Sequence, residues 1–369
     1  VLLMINQATL EPGQIYITGA DVVNNGRIYI VNPSEGEIQL SENDVTGTGS
    51  VVNNNRFMQS SLDGAKIVNK ADADGLLGAF ASAGIQQTLR RADQVLSFAI
   101  ADHTAFNAYA PAGLNLWVDV QGEHAEADKL DNGAKYKSNI AYATFGADVG
   151  VTPDVRLGAA IEYGNGKVRS GNYSLHNDVD TVGVGAYASW QFADKAKVVA
   201  DVAYAKSNND ITSGEDTMFD QKVDGSVMSA GAAVQYLGQA GAFSVIPSIG
   251  LRVSKLKTDD MHYGSINVGE QSQTIVQMPV AVRITAAQLE AAGWSFAPSA
   301  KFTYVPTFGD DDLTRGTTSQ TVLDMSPVQA DLGLRATKAN FSLGAHFILG
   351  GGKDGSSTVG GKIDARYSF

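Results

Sequence analysis

The sequence predicts an all-β fold: a 12-stranded antiparallel transmembrane β-barrel, with an N-terminal helix in its pore and a short β-rich, solenoid-like segment before the helix. Three observations lead to this prediction. From Gly113 to Phe369 apolar and polar residues alternate, many alternating segments have ten residues or more, and tight turns alternate with longer polar connections. Strands in soluble proteins average about five or six residues, whereas a tilted strand needs about nine to eleven to cross a bilayer.

The C-terminal strand shows the alternation most clearly. Lys362, Asp364 and Arg366 share one face, and the other face, which includes Tyr367 and Phe369, carries no charge. The same pattern predicts twelve strands, at 114–125, 138–151, 155–167, 179–192, 195–207, 226–239, 243–257, 273–287, 294–308, 322–338, 340–352 and 357–369. Pro247, Pro279, Pro298 and Pro327 fall within these segments, where we expect bulges or strand ends because proline cannot donate to a ladder.

The chain is predicted to have three parts: a β-rich segment at 1–70, a helical segment at 71–110 and the barrel at 111–369. In the first part, short β-branched runs recur every ten to thirteen residues, which fits either the rungs of a β-solenoid or an irregular linker. Asp72 and Asp74 precede apolar residues spaced three and four apart, which predicts one long helix, with Gly84 as the point where it can break. This helix, with Arg90, Arg91 and Asp93, is either a solvated linker or a helix that fills the pore.

Composition excludes several function classes. The chain has no cysteine, so it has no disulfide and no thiolate metal site, and its net charge of −12 disfavours nucleic acid as a partner. No apolar run is long enough for a helical membrane span. The five histidines have no metal-binding spacing, and Gly351-Gly-Lys lacks the context of a phosphate loop. We therefore expect no enzyme, no metal and no cofactor; no signal peptide opens the chain, so an exported protein would begin upstream of Val1.

The inward face of the predicted barrel carries charges of both signs, because a hydrated lumen must be polar. These charges would pair with whatever fills the lumen, or line a conducting pore. The predicted pore-lining residues are Asp119, Glu162, Arg252, Arg283, Lys301, Asp331, Arg335, Lys362, Asp364 and Arg366.

Turn lengths and aromatic residues predict the orientation in the membrane. Aromatic residues cluster at the strand ends next to the short turns, as in the girdle that marks a membrane boundary: Trp190, Phe192, Phe243, Trp294, Phe296 and Phe341. Short turns face the periplasm in bacterial outer-membrane barrels. Both ends of the barrel are therefore predicted to lie on the periplasmic side of a Gram-negative outer membrane.

From Asp72 to Phe369 the chain resembles the translocator domain of autotransporters (type V secretion). The resemblance rests on a long helix directly before the barrel, on Leu116-Trp-Val-Asp-Val-Gln-Gly122, similar to the glycine-ended first strand of such barrels, and on the C-terminal Ala365-Arg-Tyr-Ser-Phe369. The aromatic residues Tyr367 and Phe369 resemble the signal that the barrel assembly machinery reads.

The resemblance implies a monomeric barrel that exports its own N-terminal passenger, through its pore or through a hybrid pore with the assembly machinery. Periplasmic chaperones and outer-membrane lipid, including lipopolysaccharide, are the other implied partners. The helix would then remain in the pore, and residues 1–60 would be the end of a β-helical passenger whose activity the sequence does not reveal. The alternative is a porin-like channel with an N-terminal plug.

Some autotransporters release the passenger by self-cleavage between two asparagines within the pore. Val52-Asn-Asn-Asn-Arg-Phe-Met58 resembles that motif and nominates Asn53 and Asn54, but it lies about sixty residues before the first predicted strand. We therefore favour a polar turn at the end of the passenger, with self-cleavage as the alternative.

Overall fold

The computed structural model describes residues 2–5, 15–16, 27–31, 38–39, 50–53, 66–106, 113–127, 136–170, 175–213, 220–263, 266–309, 312–315, 318–321, 327–352 and 355–369. The chain forms two compact units that divide near Gly78.

The N-terminal unit is built from short parallel strands. Leu2–Ile5, Arg27–Val31, Ser50–Asn53 and Lys66–Asn69 form one sheet, and Ile15–Tyr16 pairs with Ile38–Gln39 in a second. Over most of the unit, successive strands along the chain alternate between the two sheets, and within each sheet the pairs are parallel. Parallel stacking of strands from successive turns is the arrangement of a β-solenoid, which was one of the two interpretations of this segment.

The helix α1 spans Lys70–His103 without a break. The Thr88 hydroxyl donates to the Gly84 carbonyl (3.0 Å), and the helix continues through Gly84 as the one long helix that the sequence predicts, without the break that Gly84 would allow. The helix ends where the Thr104 backbone and side chain both donate to the Ile100 carbonyl, at 2.9 and 2.7 Å. Among the described residues, no helix has the length and apolar character to cross a membrane.

Twelve strands of the described chain form the barrel. They are β1 (Leu114–Ala127), β2 (Tyr136–Gly150), β3 (Val155–Ser170), β4 (Leu175–Ala193), β5 (Ala196–Ser213), β6 (Asp220–Tyr236), β7 (Phe243–Thr258), β8 (Gln271–Gln277, continued by Val280–Ala286), β9 (Trp294–Tyr304, continued by Thr307–Gly309), β10 (Val328–Lys338), β11 (Phe341–Gly351) and β12 (Ser357–Ser368). Two short strands, Gly238–Ala240 and Leu289–Ala291, extend the hairpins before β7 and β9.

Each strand pairs with the next in antiparallel fashion, and β12 pairs with β1, which closes the barrel. Ser368 lies opposite Asn115, and the backbone amide of Phe369 donates to the Leu114 carbonyl (2.9 Å). The predicted 12-stranded antiparallel barrel is confirmed.

Several strands are longer than the sequence indicated. Strands β3 to β7 have 16 to 19 residues, and the segment 208–225, which we predicted as a loop, is strand up to Ser213 and again from Asp220. Outward residues in this part are polar and pair across strands: Lys206 with Asp224 (2.5 Å) and Lys222 with Asp210 (3.7 Å). Their polarity removes the apolar half of the alternation, which is why the sequence pattern resembles a loop.

The four prolines lie at irregular points of the sheet, as expected. Pro279 and Pro327 are just outside the paired segments of β8 and β10. Pro298 lies where the register of β9 with the preceding strand changes by one residue, and Pro247 lies where the pairing of β7 with β6 is interrupted.

The two faces of the barrel wall differ as the alternation requires. Outward positions carry exposed apolar residues, for example Val182, Ile249 and Phe347, and inward positions carry buried polar ones. On the outward face, next to the short turns, Trp190 lies against Phe192 and Trp294 against Phe341, with ring centroids 5.7 and 6.4 Å apart. This pattern agrees with the predicted aromatic girdle.

Candidate functional site: the lumen around the helix

The helix from Ala81 onward is surrounded by the barrel wall. Its apolar residues Leu96 and Ile100 pack against β4, where a methyl carbon of Leu96 lies 3.4 Å from the position a Cβ would take at Gly185. Its charged residues are buried as well, Asp93 to 3% exposure and Asp102 to 4%. A buried charge is costly unless it is paired and hydrogen-bonded, so the partners of these residues on the wall decide how the helix is held.

The Asp93 carboxylate is bound by a guanidinium and two hydroxyls. Arg252 on β7 donates to both of its oxygens, at 2.9 and 2.5 Å. Ser229 and Ser254 donate their hydroxyls to it at 2.6 and 2.9 Å, and the remaining Arg252 amino group binds Asp201 on β5 (2.6 Å). The bidentate pair fixes the rotation of the helix against β5, β6 and β7.

A second helix carboxylate, Asp102, lies among three cations. Arg283 on β8 and Lys301 on β9 both bind its Oδ1, Lys301 at 2.8 Å, and Lys362 on β12 binds Oδ2 at 2.7 Å. Because β8, β9 and β12 are not the strands that bind Asp93, the two carboxylates attach the helix to different parts of the wall.

Two arginines precede these carboxylates on the helix. Arg91 forms a bidentate ion pair with Glu123 on β1, with one contact of 2.6 Å. Arg90 donates to the Thr307 hydroxyl on β9 (3.2 Å). The helix therefore presents charges of both signs to the wall, and each meets a complementary group.

The C-terminal end of the helix is fixed by His103. Its ring stacks on Trp117, with centroids 4.2 Å apart, and its Nε2 lies 2.5 Å from Asp119. Arg366 donates to His103 Nδ1 (2.7 Å) and to its carbonyl (3.1 Å). Since Nδ1 accepts from an arginine, the proton of a neutral ring is on Nε2, where it is donated to Asp119.

Below His103 a polar chain connects Trp117 to the short-turn end of the barrel. Trp117 donates its indole N–H to the Tyr187 hydroxyl (2.9 Å), which donates to Asp148 (3.1 Å). Arg156 binds the same carboxylate at 2.6 Å and donates to the Gly113 carbonyl at 3.0 Å. This chain connects the helix end to the residue that precedes β1.

A barrel with a helix in its lumen is also found in known proteins. The family model of the autotransporter β-domain matches residues 116–353, more than half of the chain. The chain belongs to the autotransporter β-domain family.

Solved autotransporter barrels share the fold. The translocator domain of NalP from Neisseria meningitidis is 15% identical, with 78% of this chain and 97% of that chain covered and a TM-score of 0.60. The β-domain of the Bordetella autotransporter BrkA is 13% identical (70% and 100% covered, TM-score 0.54), and the transport unit of AIDA-I from Escherichia coli is 14% identical (75% and 97% covered, TM-score 0.54). A search of curated proteins gives no match.

This autotransporter is therefore an outer-membrane translocator of a Gram-negative bacterium that exports a passenger. Members of the family are generally transporters without enzymatic activity. Among the described residues of this autotransporter, no group of three or more His, Asp or Glu side chains is arranged to hold a metal ion.

The predicted pore-lining residues of the autotransporter all face the interior. Seven are buried: Asp119, Glu162, Arg252, Asp331, Lys362, Asp364 and Arg366. Arg283, Lys301 and Arg335 are mostly buried, with side chains 14%, 15% and 22% exposed. Six of the ten contact the helix directly, and so does Glu123, which was not predicted. The six are Asp119, Arg252, Arg283, Lys301, Lys362 and Arg366.

Other predicted residues lie elsewhere in the interior. Asp331 and Asp364 bind the two nitrogens of His346 (2.7 and 2.9 Å), and Arg335 lies 3.3 Å from Asp364. Glu162 accepts from the Thr144 hydroxyl (3.3 Å). Their part in holding the helix or in export stays a prediction.

The sequence analysis missed Asp102, His103, Glu123 and Asp201. Glu123 and Asp201 could have been predicted from the alternation. Glu123 lies on the same face of its strand as the inward Asp119, and Asp201 on the same face as the inward Val199. Asp102 and His103 had none, since a helix enclosed on all sides has no polar face to recognise.

The close approach of the helix to β6 gives a testable prediction. A Cβ at Gly225 would lie 2.7 Å from Ile85 and 2.9 Å from Leu89, whereas one at Gly183 would find its nearest neighbours at 3.5 Å. Gly225→Ala is therefore expected to destabilise the helix-filled barrel by about 1–3 kcal/mol, because overpacking forces the helix or the wall to move. Gly183→Ala is the matched control. Thermal unfolding is the measurement, and equal midpoints for the two variants would show that the helix does not pack tightly against β6.

Proposed function

We propose that the helix remains in the lumen after export as a plug, and that residues 1–70 are the end of the exported passenger. In this proposal residues 71–110 connect the passenger through the pore to the barrel at 111–369. The observation that carries the proposal is the pair of helix carboxylates, Asp93 and Asp102, each bound by cations of the barrel wall. A helix attached to β5–β9 and β12 occupies the space that a porin-like channel keeps open.

The position of the N-terminus tests this proposal against the porin-like alternative. An epitope placed before Val1 should be labelled by antibody on intact cells, because the passenger end lies outside the cell. A plug domain would leave the same epitope in the periplasm. An epitope inserted in the short turn at Asp194 is the control, and it should be labelled only after permeabilisation. Labelling of the N-terminal epitope only after permeabilisation would refute the export model.

The C-terminal aromatic residues are the proposed contact with the assembly machinery. Tyr367 and Phe369 are 44% and 65% exposed on the outward face, with ring centroids 4.7 Å apart, so both remain accessible at the end of the last strand, and we propose them as the signal for the barrel assembly machinery. We include the barrel assembly machinery, periplasmic chaperones, outer-membrane lipid with lipopolysaccharide, and the chain's own passenger as partners of a monomer. Nucleic acid is not among them, given the net charge of −12.

We further propose that the chain is not cut between Asn53 and Asn54. Asn53 ends the short parallel strand Ser50–Asn53 of the N-terminal unit, and Asn54 lies outside the described residues. Cells expressing the full chain should therefore show one band at full length, and Asn53→Ala should leave it unchanged. A shorter wild-type band that Asn53→Ala abolishes would demonstrate self-cleavage.

A further inference from the structure

The two faces of the helix meet the barrel wall differently. One face is apolar and 0–1% exposed, and it packs against β4 and β6 through Ile85, Leu89, Leu96 and Ile100. Between Ala81 and His103 five helix residues are only partly buried, and four of them recur three, four or seven positions apart: Gln87, Arg91, Phe98 and Ala101. At 3.6 residues per turn these four lie opposite the apolar face. The helix therefore leaves free space in the lumen along one side.

Three cavities occupy this space. The first, of about 160 Å³, reaches the long-loop ends of β1 and β12, because Ala127 and Ser357 line it. The second, of about 80 Å³, reaches the short-turn end of β6, since it is lined by Gln235, which precedes the last residue of that strand. A third, of about 10 Å³, lies beside Asp102 and Lys362. Together they extend along the helix from one end of the barrel towards the other.

The side chain of Phe98 lies between these cavities. It is the only lining residue that all three have in common. The Nζ atom of Lys301 lies 5.2 Å from the centroid of its ring, and the same atom binds Asp102, one turn further along the helix, at 2.8 Å. The cation–π contact and the ion pair hold the ring in this position.

The two larger cavities are polar. The first is lined by the ion pair of Arg91 with Glu123, and the second by the ion pair of Arg252 with Asp201. A polar cavity holds a water molecule once about 10–15 Å³ is available to it, so both have room for several. Water can therefore approach Phe98 from both ends of the barrel.

We propose that Phe98 seals the plugged barrel, because its ring interrupts a water-filled path that otherwise follows the helix through the lumen. This inference rests on the proposed function, since it requires the helix to remain in the pore. The ion pairs of Asp93 and Asp102 hold the helix, whereas Phe98 excludes ions. Retention of the helix and closure of the lumen then depend on different residues.

Conductance of the full chain in planar bilayers tests the seal. The wild type should conduct little, Phe98→Ala should conduct severalfold more, and Phe98→Trp should behave as the wild type does. Phe106→Ala is the matched control and should stay at the level of the wild type. Phe106 is also buried, with Lys197 Nζ 4.8 Å from its ring centroid, but it lines none of the three cavities.

A chemical rescue separates a lost seal from a lost helix. The chain has no cysteine, so Phe98→Cys provides a single thiol. This variant should conduct as Phe98→Ala does. Benzyl methanethiosulfonate, from which the thiolate displaces methanesulfinate, attaches a phenyl ring at this position through a disulfide. It should return the conductance to near the level of the wild type, whereas it would not restore a helix that had left the lumen.

The outcomes distinguish the seal from the plug. Equally low conductance of the wild type and Phe98→Ala would overturn the seal and leave the plug intact. High conductance of the wild type would refute the plug and the seal together. A rise that Phe106→Ala shares, or one in Phe98→Cys that the benzyl reagent does not reverse, would overturn the assignment to Phe98.

Discussion

Replacing Arg252 with alanine is expected to lower the free energy of unfolding by about 3–5 kcal/mol, because it leaves a buried carboxylate without its cation. Asp93 would lose both bonds of the bidentate pair and keep only the hydroxyls of Ser229 and Ser254. Asp201 would lose the same partner. The helix should then be released more easily from the lumen.

Two measurements check this expectation. The temperature at which the compact, heat-modifiable gel band is lost should fall, and the conductance of the purified barrel in planar bilayers should rise. Lys257→Ala is the control on the same strand, since Lys257 binds Glu270 (2.6 Å) at the exposed outer surface, where an ion pair contributes little. A compact band as stable as that of the control would show that the Asp93 site does not hold the helix.

Trp117→Ala is also expected to lower the free energy of unfolding by about 3–5 kcal/mol, because it removes a buried aromatic ring. Trp117 is 3% exposed, stacks on His103 and donates to Tyr187. Its ring also occupies the space above Gly146, where a Cβ would lie 2.0 Å from it.

Two variants separate the contributions of Trp117. Trp117→Phe keeps most of the ring and loses the indole donor, so the free energy of unfolding should fall by only about 1 kcal/mol. Trp190→Ala, at an outward position 53% exposed, is the control for tryptophan loss on the lipid face and should leave the helix contacts intact. Equal unfolding midpoints for Trp117→Ala and Trp190→Ala would contradict a structural role for the Trp117 contacts.

The barrel was predictable from sequence wherever the alternation was strict. In β12, charges at every second residue separate the faces, and the predicted and observed bounds agree closely. In β5 and β6, outward polar residues such as Lys206 and Asp224 remove that contrast, and the strand ends were misplaced. The alternation of apolar and polar residues shows where a strand crosses the apolar band, but it does not show how far the strand continues beyond that band.

The candidate site was predictable only in part, for a different reason. Arg252 could be assigned to the interior by its parity, but its partner Asp93 is 159 positions away. The pairing depends on the rotation and depth of the helix and on the register of the wall, none of which is encoded within a local window. Inward charges can be found from sequence, whereas the pairs they form require the structure.

The pairing of β12 with β1 also sets an order of events. The last residues of the chain complete the wall, since Ser368 lies opposite Asn115 and the Phe369 amide binds the Leu114 carbonyl. Until they arrive, β1 and β11 are the free edges of an open sheet, with unpaired amides and carbonyls. Synthesis must therefore finish before a closed ring can exist. The C-terminal residues are thus the last part of the chain that the closed wall requires.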